Sequence, residues 1–275
     1  MSNNGYTLSF LVWLSVSACS MAPEQLLPPP GRSQPDGKIG PFRQNDTGNC
    51  FFLAALLALG FDPEGKRALE SALPINGEPD RWRIVFPNVP ERPVTVTAEE
   101  LTGYRLKNSD GAGFSPPVSG DPDIALLEIA ADKLWRDTIK AEGLWDDVPM
   151  NVLFMFSKAK QILLWNRQKA PPAALEDIGK IRRIPAGIAI ERPVANADAA
   201  RAELKSIVDA DRDGLSMVLI DYETYHAVAI DRIDFSRATY SYVDTESIRS
   251  TDNDLDQLLR RLADGVYALA YVEVN

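Results

Sequence analysis

The chain is poor in the residues on which much enzyme chemistry depends. Of its 275 residues, one is histidine and two are cysteine. Two cysteines cannot build a disulfide framework. One histidine excludes a His-rich metal site, and neither an HExxH motif nor a CxxC pair occurs. No GxSxG is present to pair a serine nucleophile with that histidine. Lys and Arg total 29 against 39 Asp and Glu, a net charge of -10, which is the wrong sign for a nucleic-acid partner. No internal repeat is visible. What remains is an ordinary globular composition, 45% hydrophobic and 25% charged, enough for one large domain or two small ones. The scarcity has a use: any mechanism that needs an imidazole must employ His226.

The N-terminus differs from the rest. "YTLSFLVWLSVSAC" is an apolar run of signal-peptide length, too short to span a bilayer comfortably. Its end, "VSAC" (Val16 to Cys19), resembles the lipobox of bacterial lipoproteins, although "MSNNGYT" supplies no Lys or Arg. That resemblance implies an exported, periplasmic or cell-envelope protein held to a membrane through lipidated Cys19. An apolar helix packed on a cytoplasmic or secreted domain is the alternative. Residues 1–19 are therefore expected to be a signal-like segment and 20–40 a Pro-rich linker. The folded domain is expected over 41–275.

Within that domain, Cys50 to Leu59 is apolar nearly all round and predicts a buried helix, with Gly48 or Asn49 as N-cap and Gly60 as stop. "RWRIVF" and "RPVTVTAEEL" read as two strands separated by "PNVPE". "DPDIALLEIAADKLWRD" predicts an amphipathic helix, capped by Asp121 or Asp123, with Ile124, Leu127, Ala131 and Leu134 on one face. Met150 to Trp165 reads as a further apolar helix. Beyond a helix starting near Ala197, "LSMVLI", "HAVAIDRI", "ATYSYVD" and "VYALAYVEV" alternate as strands. Helices thus gather early and strands late. This predicts an α+β fold with a helical lobe over about 41–170, a β-rich lobe over about 180–275, and a cleft between them.

The junction "QNDTGNCFFLAALLALG" puts Cys50 at the start of the buried helix, where backbone N–H groups and the positive end of the macrodipole favour a thiolate. His226 opens a predicted hairpin that turns around Asp234 to Arg237 and returns Asp244 to within a diagonal step of the imidazole. A carboxylate there can accept the second imidazole N–H and support its charge. Cys50, His226 and Asp244 thus suit the roles of nucleophile, base and orienter. The Cys50 backbone N–H and the Gln44 side-chain amide suit an oxyanion hole.

A Gln six residues before a Cys that opens an apolar helix, with His and Asn or Asp far downstream, resembles the plan of papain-like cysteine peptidases. More closely, "QNDTGNCFFLAAL" is similar to the calpain segment Q-G-x-L-G-D-C-W-F-L-A-A. "WRIVFPNVPERPVTVTAEEL", "ALLEIAADKLW" and "YHAVAI" resemble further calpain blocks in the same order. The resemblance spans most of residues 42–246. It implies a papain-like two-lobed fold with a central Cys helix and an antiparallel sheet lobe. It also implies cysteine peptidase activity on a protein or peptide substrate, with Cys50 as nucleophile, His226 as general base, Gln44 in the oxyanion hole and Asp244 in place of the orienting Asn. Phe51 stands where the family has Trp, and "DTES" replaces its N-P-W-G. An Asp third member also suits transglutaminase-like acyl transfer or deamidation. No position matches a calcium ligand of the family, so no metal or cofactor is expected.

Two other readings compete. A Cys opening an apolar helix can be a plain buried hydrophobe, His226 a structural histidine and Asp244 a strand-end residue. A peptidase-like domain can also serve as a binding module without turnover. "DADRDG" (Asp209 to Gly214) imitates an EF-hand opening but has Ile220 at the twelfth position, and reads as a helix-ending turn. "DGAGF" (Asp110 to Phe114) reads as a loop.

Overall fold

The computed structural model describes residues 34–44, 50–74, 78, 80–103, 118–142, 153, 155–156, 161–172, 189–210, 216–246 and 248–272. Cys19, Asn49, the 104–117 stretch and Asp211 to Gly214 lie outside the described residues. The fold is mixed α+β.

Eleven strands and six helices occur among the described residues. In chain order they begin with β1 (Phe42–Gln44), α1 (Cys50–Phe61), α2 (Pro63–Ala72), β2 (Arg81–Ile84), β3 (Val94–Thr97), α3 (Ala98–Gly103), β4 (Val118–Gly120) and α4 (Pro122–Glu142). They continue with β5 (Gln161–Trp165), β6 (Ala189–Pro193), α5 (Ala197–Ala210), β7 (Met217–Asp221), β8 (His226–Asp234), β9 (Thr239–Val243), β10 (Arg249–Asp254), α6 (Leu255–Ala263) and β11 (Tyr267–Val272).

Seven strands form the central sheet, in the order β10-β9-β8-β7-β11-β5-β6. Every neighbouring pair is antiparallel except β5 and β6, which run parallel. β1 pairs with β4, and β2 with β3, as separate two-stranded ribbons.

Alternation along the strands assigns each side chain to a face. Val218, Ile220, Ala227, Ala229, Ala268 and Ala270 join the core that contains α1 and α4. Met217, Leu219, Val228, Ile230, Leu269 and Tyr271 join a second core beneath α5 and α6. Ala227 and Ala229 on the first face let α1 lie close to β8, and its own Phe52, Leu53, Leu56 and Leu59 are fully buried there. Each such Leu or Phe contributes about 1.5–3 kcal/mol of burial free energy, so α1 is a rigid mount for its first residue, Cys50.

The sheet is thus covered on both faces. The second cover includes α6, whose apolar positions Leu255, Leu258, Leu259 and Leu262 fall on one stripe. Asp254 caps it, accepting N–H bonds from Asp256 and Gln257.

Met150 to Trp165 departs from the single helix expected of it. Leu153, Met155 and Phe156 are helical, but Gln161–Trp165 is a strand paired on both edges. A short apolar run satisfies either period, and the pairing available on both sides decides in favour of the strand.

The helix α4 starts as expected: Asp121 is its cap, accepting the Asp123 N–H at 2.9 Å. It is more enclosed than an amphipathic surface helix, for Asp123, Glu128 and Asp132 are buried along with Ile124 and Leu127. Its two first acids face the incoming chain. Asp123 accepts the N–H groups of Asp36 and Gly37 at 2.9 and 3.0 Å, and Asp121 accepts that of Gly40. Two buried carboxylates therefore fix the chain that leads into β1 and so to Gln44.

Candidate active site

Cys50 is the first residue of α1 and is half-buried, with its sulfur donating to the Tyr225 carbonyl at 3.9 Å. Packing holds the helix behind it while leaving the sulfur at the surface of the core. This is not the sealed position of an inert buried thiol.

His226 is the first residue of β8, opposite Asp221 on β7. α1 packs directly on β8, and the contact of Cys50 with the Tyr225 carbonyl sets the start of the helix beside the start of that strand. The His226 side chain hydrogen-bonds Asp244, and Cys50 lies near enough to raise its proton affinity. Its Nε2 lies 3.0 Å from Asp244 Oδ2. With Nε2 engaged by the carboxylate, Nδ1 is the ring nitrogen left to meet the sulfur. The imidazole sits between an acid and a thiol, the order that nucleophile, base and orienter require.

The strand that leads to Asp244 carries a defect. Pairing of β8 with β9 runs in one register through Ile230↔Tyr242 and shifts by one between Ile230 and Arg232. Val243, opposite Ala229, is the last paired residue of β9, and Asp244 follows it directly. Without the extra residue at Asp231, the end of β9 and Asp244 after it would stand one residue farther from His226 along β8. The bulge is braced: Asp231 accepts from Ser241 Oγ at 2.5 Å and pairs with Arg249 at 3.0 Å.

Each partner shifts the other's proton affinity. The hydrogen bond to Asp244, then the neighbouring Cys50 side chain, push His226 up from 6.5 to about 10 against the opposing effect of burial. Burial drives the Asp244 carboxyl upward, but the His226 hydrogen bond and the Glu246 N–H, 3.2 Å away, outweigh it and hold the group below the usual carboxylate range. At neutral pH the pair is therefore imidazolium and carboxylate. The His226 side chain is 36% exposed and that of Asp244 24%, so the site is open to a reactant yet partly shielded from water.

Gln44 enters from the end of β1. Its N–H donates to the Thr245 carbonyl at 2.7 Å, and Thr245 Oγ1 donates to Gln44 Oε1. The same Thr245 hydroxyl lies 3.3 Å from Asp244 Oδ1. The carbonyl end of the Gln44 amide is thus fixed toward Thr245, which turns the NH2 end the opposite way.

All four residues singled out from the sequence are therefore brought together: Cys50 to His226, His226 to Asp244, and Asp244 through Thr245 to Gln44. Two neighbours were not singled out. Thr245, fully buried, falls within the "DTES" that departs from the calpain pattern. Tyr225, 71% exposed, adopts a positive φ of 54° that glycine would take without strain.

Among the described residues no group of three or more His, Cys, Asp or Glu side chains could hold a metal ion. No helix among them is long and apolar enough to cross a membrane. No protein-family model matches the chain, and no curated protein matches it.

Proposed function

We propose that the protein is a calpain-like cysteine peptidase of the papain-like group, with a two-lobed catalytic domain. The observation that carries this reading is the placement of the His226 ring between the Cys50 side chain and the Asp244 carboxylate, 3.0 Å from the latter, with Cys50 at a helix N-terminus.

The Cys50 thiolate attacks the substrate carbonyl carbon, forming the C–S bond and moving the carbonyl electrons to oxygen. The Gln44 amide and the Cys50 N–H receive that oxyanion. As it collapses, the C–N bond breaks and His226 gives its proton to the leaving amine, which leaves a thioester. Neutral His226 then takes a proton from water as hydroxide adds to the thioester carbon. Cleavage of the C–S bond releases the acid and restores the thiolate. Asp244 keeps Nε2 occupied and balances the imidazolium charge throughout.

A carboxylate third member favours a second reading, transfer of the same acyl group to an amine, or deamidation of glutamine, by the same residues. The protein or peptide substrate, the export of the chain and its attachment through Cys19 belong to the proposal as well.

The test has two stages. Iodoacetamide near neutral pH should label Cys50 rapidly in the wild type and slowly in His226→Ala; a slow wild-type reaction that speeds up only in alkali would leave a binding module. Mass spectrometry of a peptide mixture containing an added primary amine, with Cys50→Ala as control, then separates new peptide termini from amine adducts and deamidated glutamines.

A further inference from the structure

Tyr225 combines two features seldom found together. Among the described residues it is the one exposed large hydrophobic side chain, at 71% exposure. Its backbone has φ 54°, a left-handed conformation that bulky residues rarely adopt and that Ala238 and Asp252 share elsewhere. A single exposed aromatic is unremarkable on its own, and so is a positive φ at the end of a hairpin loop. What sets Tyr225 apart is that the exposed ring is held in this conformation beside a candidate nucleophile, whose sulfur meets its carbonyl.

The surroundings show what holds it there. Tyr225 closes the four-residue loop between β7 and β8 and precedes His226 directly. Asp221 Oδ1 ties down the loop by accepting the N–H of Glu223 at 2.8 Å and of Thr224 at 3.4 Å. Tyr222 is buried and donates its N–H to Val266 at 3.0 Å, while Glu223 pairs with Arg261, itself stacked over the Tyr267 ring. The Tyr225 carbonyl meets the Cys50 sulfur. The ring is thus carried on a rigid loop, one residue from the imidazole and one backbone group from the thiol.

We propose that the Tyr225 ring is a specificity-determining surface of the site. It packs against an apolar or aromatic side chain of the substrate within two residues of the attacked carbonyl. This deepens, and rests on, the cysteine-nucleophile function proposed above. A phenol ring presents a large apolar face at little cost in side-chain freedom, and aromatic pairs gain beyond the area they bury. The substrate class is therefore a polypeptide with a bulky apolar residue next to the bond attacked.

Full-length wild type, Tyr225→Phe and Tyr225→Asn are each incubated with a diverse peptide mixture containing a primary amine. Hydrolysed, amine-adduct and deamidated products are read by mass spectrometry, with iodoacetamide labelling of Cys50 measured in parallel. Asparagine tolerates the left-handed backbone, so Tyr225→Asn should melt no lower than the wild type. Wild type and Tyr225→Phe should enrich aromatic or large aliphatic residues about fivefold at one flanking position, falling to about background in Tyr225→Asn. Products whose preference is unchanged in Tyr225→Asn, or that show no apolar preference in the wild type, overturn this inference and leave the proposed function standing. A melting temperature several degrees lower in Tyr225→Asn assigns the ring to the fold and also overturns it. Failure of the wild type to label rapidly or to give any product overturns the proposed function, and this inference with it.

Discussion

Thr245 and Gln44 are joined twice: the Gln44 N–H donates to the Thr245 carbonyl at 2.7 Å, and the Thr245 hydroxyl donates to Gln44 Oε1. The two residues lie 201 positions apart, one ahead of the Cys helix and one after the strand hairpin. Their bonds make the proposed oxyanion donor and the carboxylate partner of His226 parts of one assembly, since Thr245 follows Asp244 directly and its hydroxyl also reaches that carboxylate.

Thr245→Val keeps the shape and removes the hydroxyl. Loss of one partly buried hydrogen bond should lower stability by about 1 kcal/mol in urea unfolding. Acylation of Cys50 by p-nitrophenyl acetate, which passes through an oxyanion, should slow about tenfold relative to alkylation by iodoacetamide, which does not. Thr245→Ser should recover most of the loss. Equal slowing with both reagents would mean that the hydroxyl serves the Cys–His pair instead of Gln44.

His226 makes stability depend on pH with a definite sign. Its folded pKa, about 10, lies above the ordinary 6.5, so its contribution is complete below about pH 6.5 and fades as pH rises toward 10. The lowered Asp244 carboxyl contributes above the ordinary carboxylate pKa and loses that contribution as pH falls through its folded value. In thermal melts, the advantage of wild type over His226→Ala should be largest in mildly acidic to neutral buffer and shrink toward pH 10. An advantage that grows with pH would contradict an imidazolium in the folded state.

Asp244→Asn and Asp244→Ala separate charge from orientation. Asparagine can still accept from Nε2–H but no longer supports the positive charge, so the alkaline limb of turnover should move down from near pH 10. Alanine removes both effects and should lower kcat by about a further 100-fold. A pH profile of kcat across the three proteins is the measurement. An alkaline limb that stays in place in Asp244→Asn would remove Asp244 from the proposed triad.

Asp123 is a staple remote from the chemistry. Burial pushes its carboxyl up to about 6, although it accepts the Asp36 and Gly37 N–H groups. A carboxyl raised in the folded state contributes most when protonated, so its contribution declines as pH rises through about 6. The charged groups facing it are Asp36 and Asp121, both of which raise it further. Asp123→Ala should abolish hydrogen-exchange protection at Asp36 and Gly37 while leaving the β8 amides protected. Retained protection at both would show that another acceptor holds the segment.

The parts of the site that could be read from the sequence were those that scarcity singles out. With one imidazole and one cysteine in the folded domain, Cys50 and His226 had few competitors, and hairpin geometry proposed Asp244. Thr245 and Tyr225 were not legible in the same way, because a threonine or tyrosine in a loop is common and only the backbone bonds and dihedrals distinguish these two. Which helices cover which face of the sheet was hidden for a similar reason. The sequence reads as helices then strands, but which face of the sheet each helix covers is decided by strand order, and β5 joins the sheet from the first part of the chain through pairing that no local pattern reports.

The bulge at Asp231 makes chain length a condition of the chemistry. Most surface hairpins absorb a gained or lost residue at the turn. Between His226 and Asp244, however, one deletion that straightens the ladder would shift the acid by a residue against the strand that carries the imidazole, while every site residue survived in the sequence. In relatives of this chain, loss of a single residue in this hairpin would mark loss of the proposed site more surely than many substitutions, and a protein damaged in that way would look intact to any comparison of residue types.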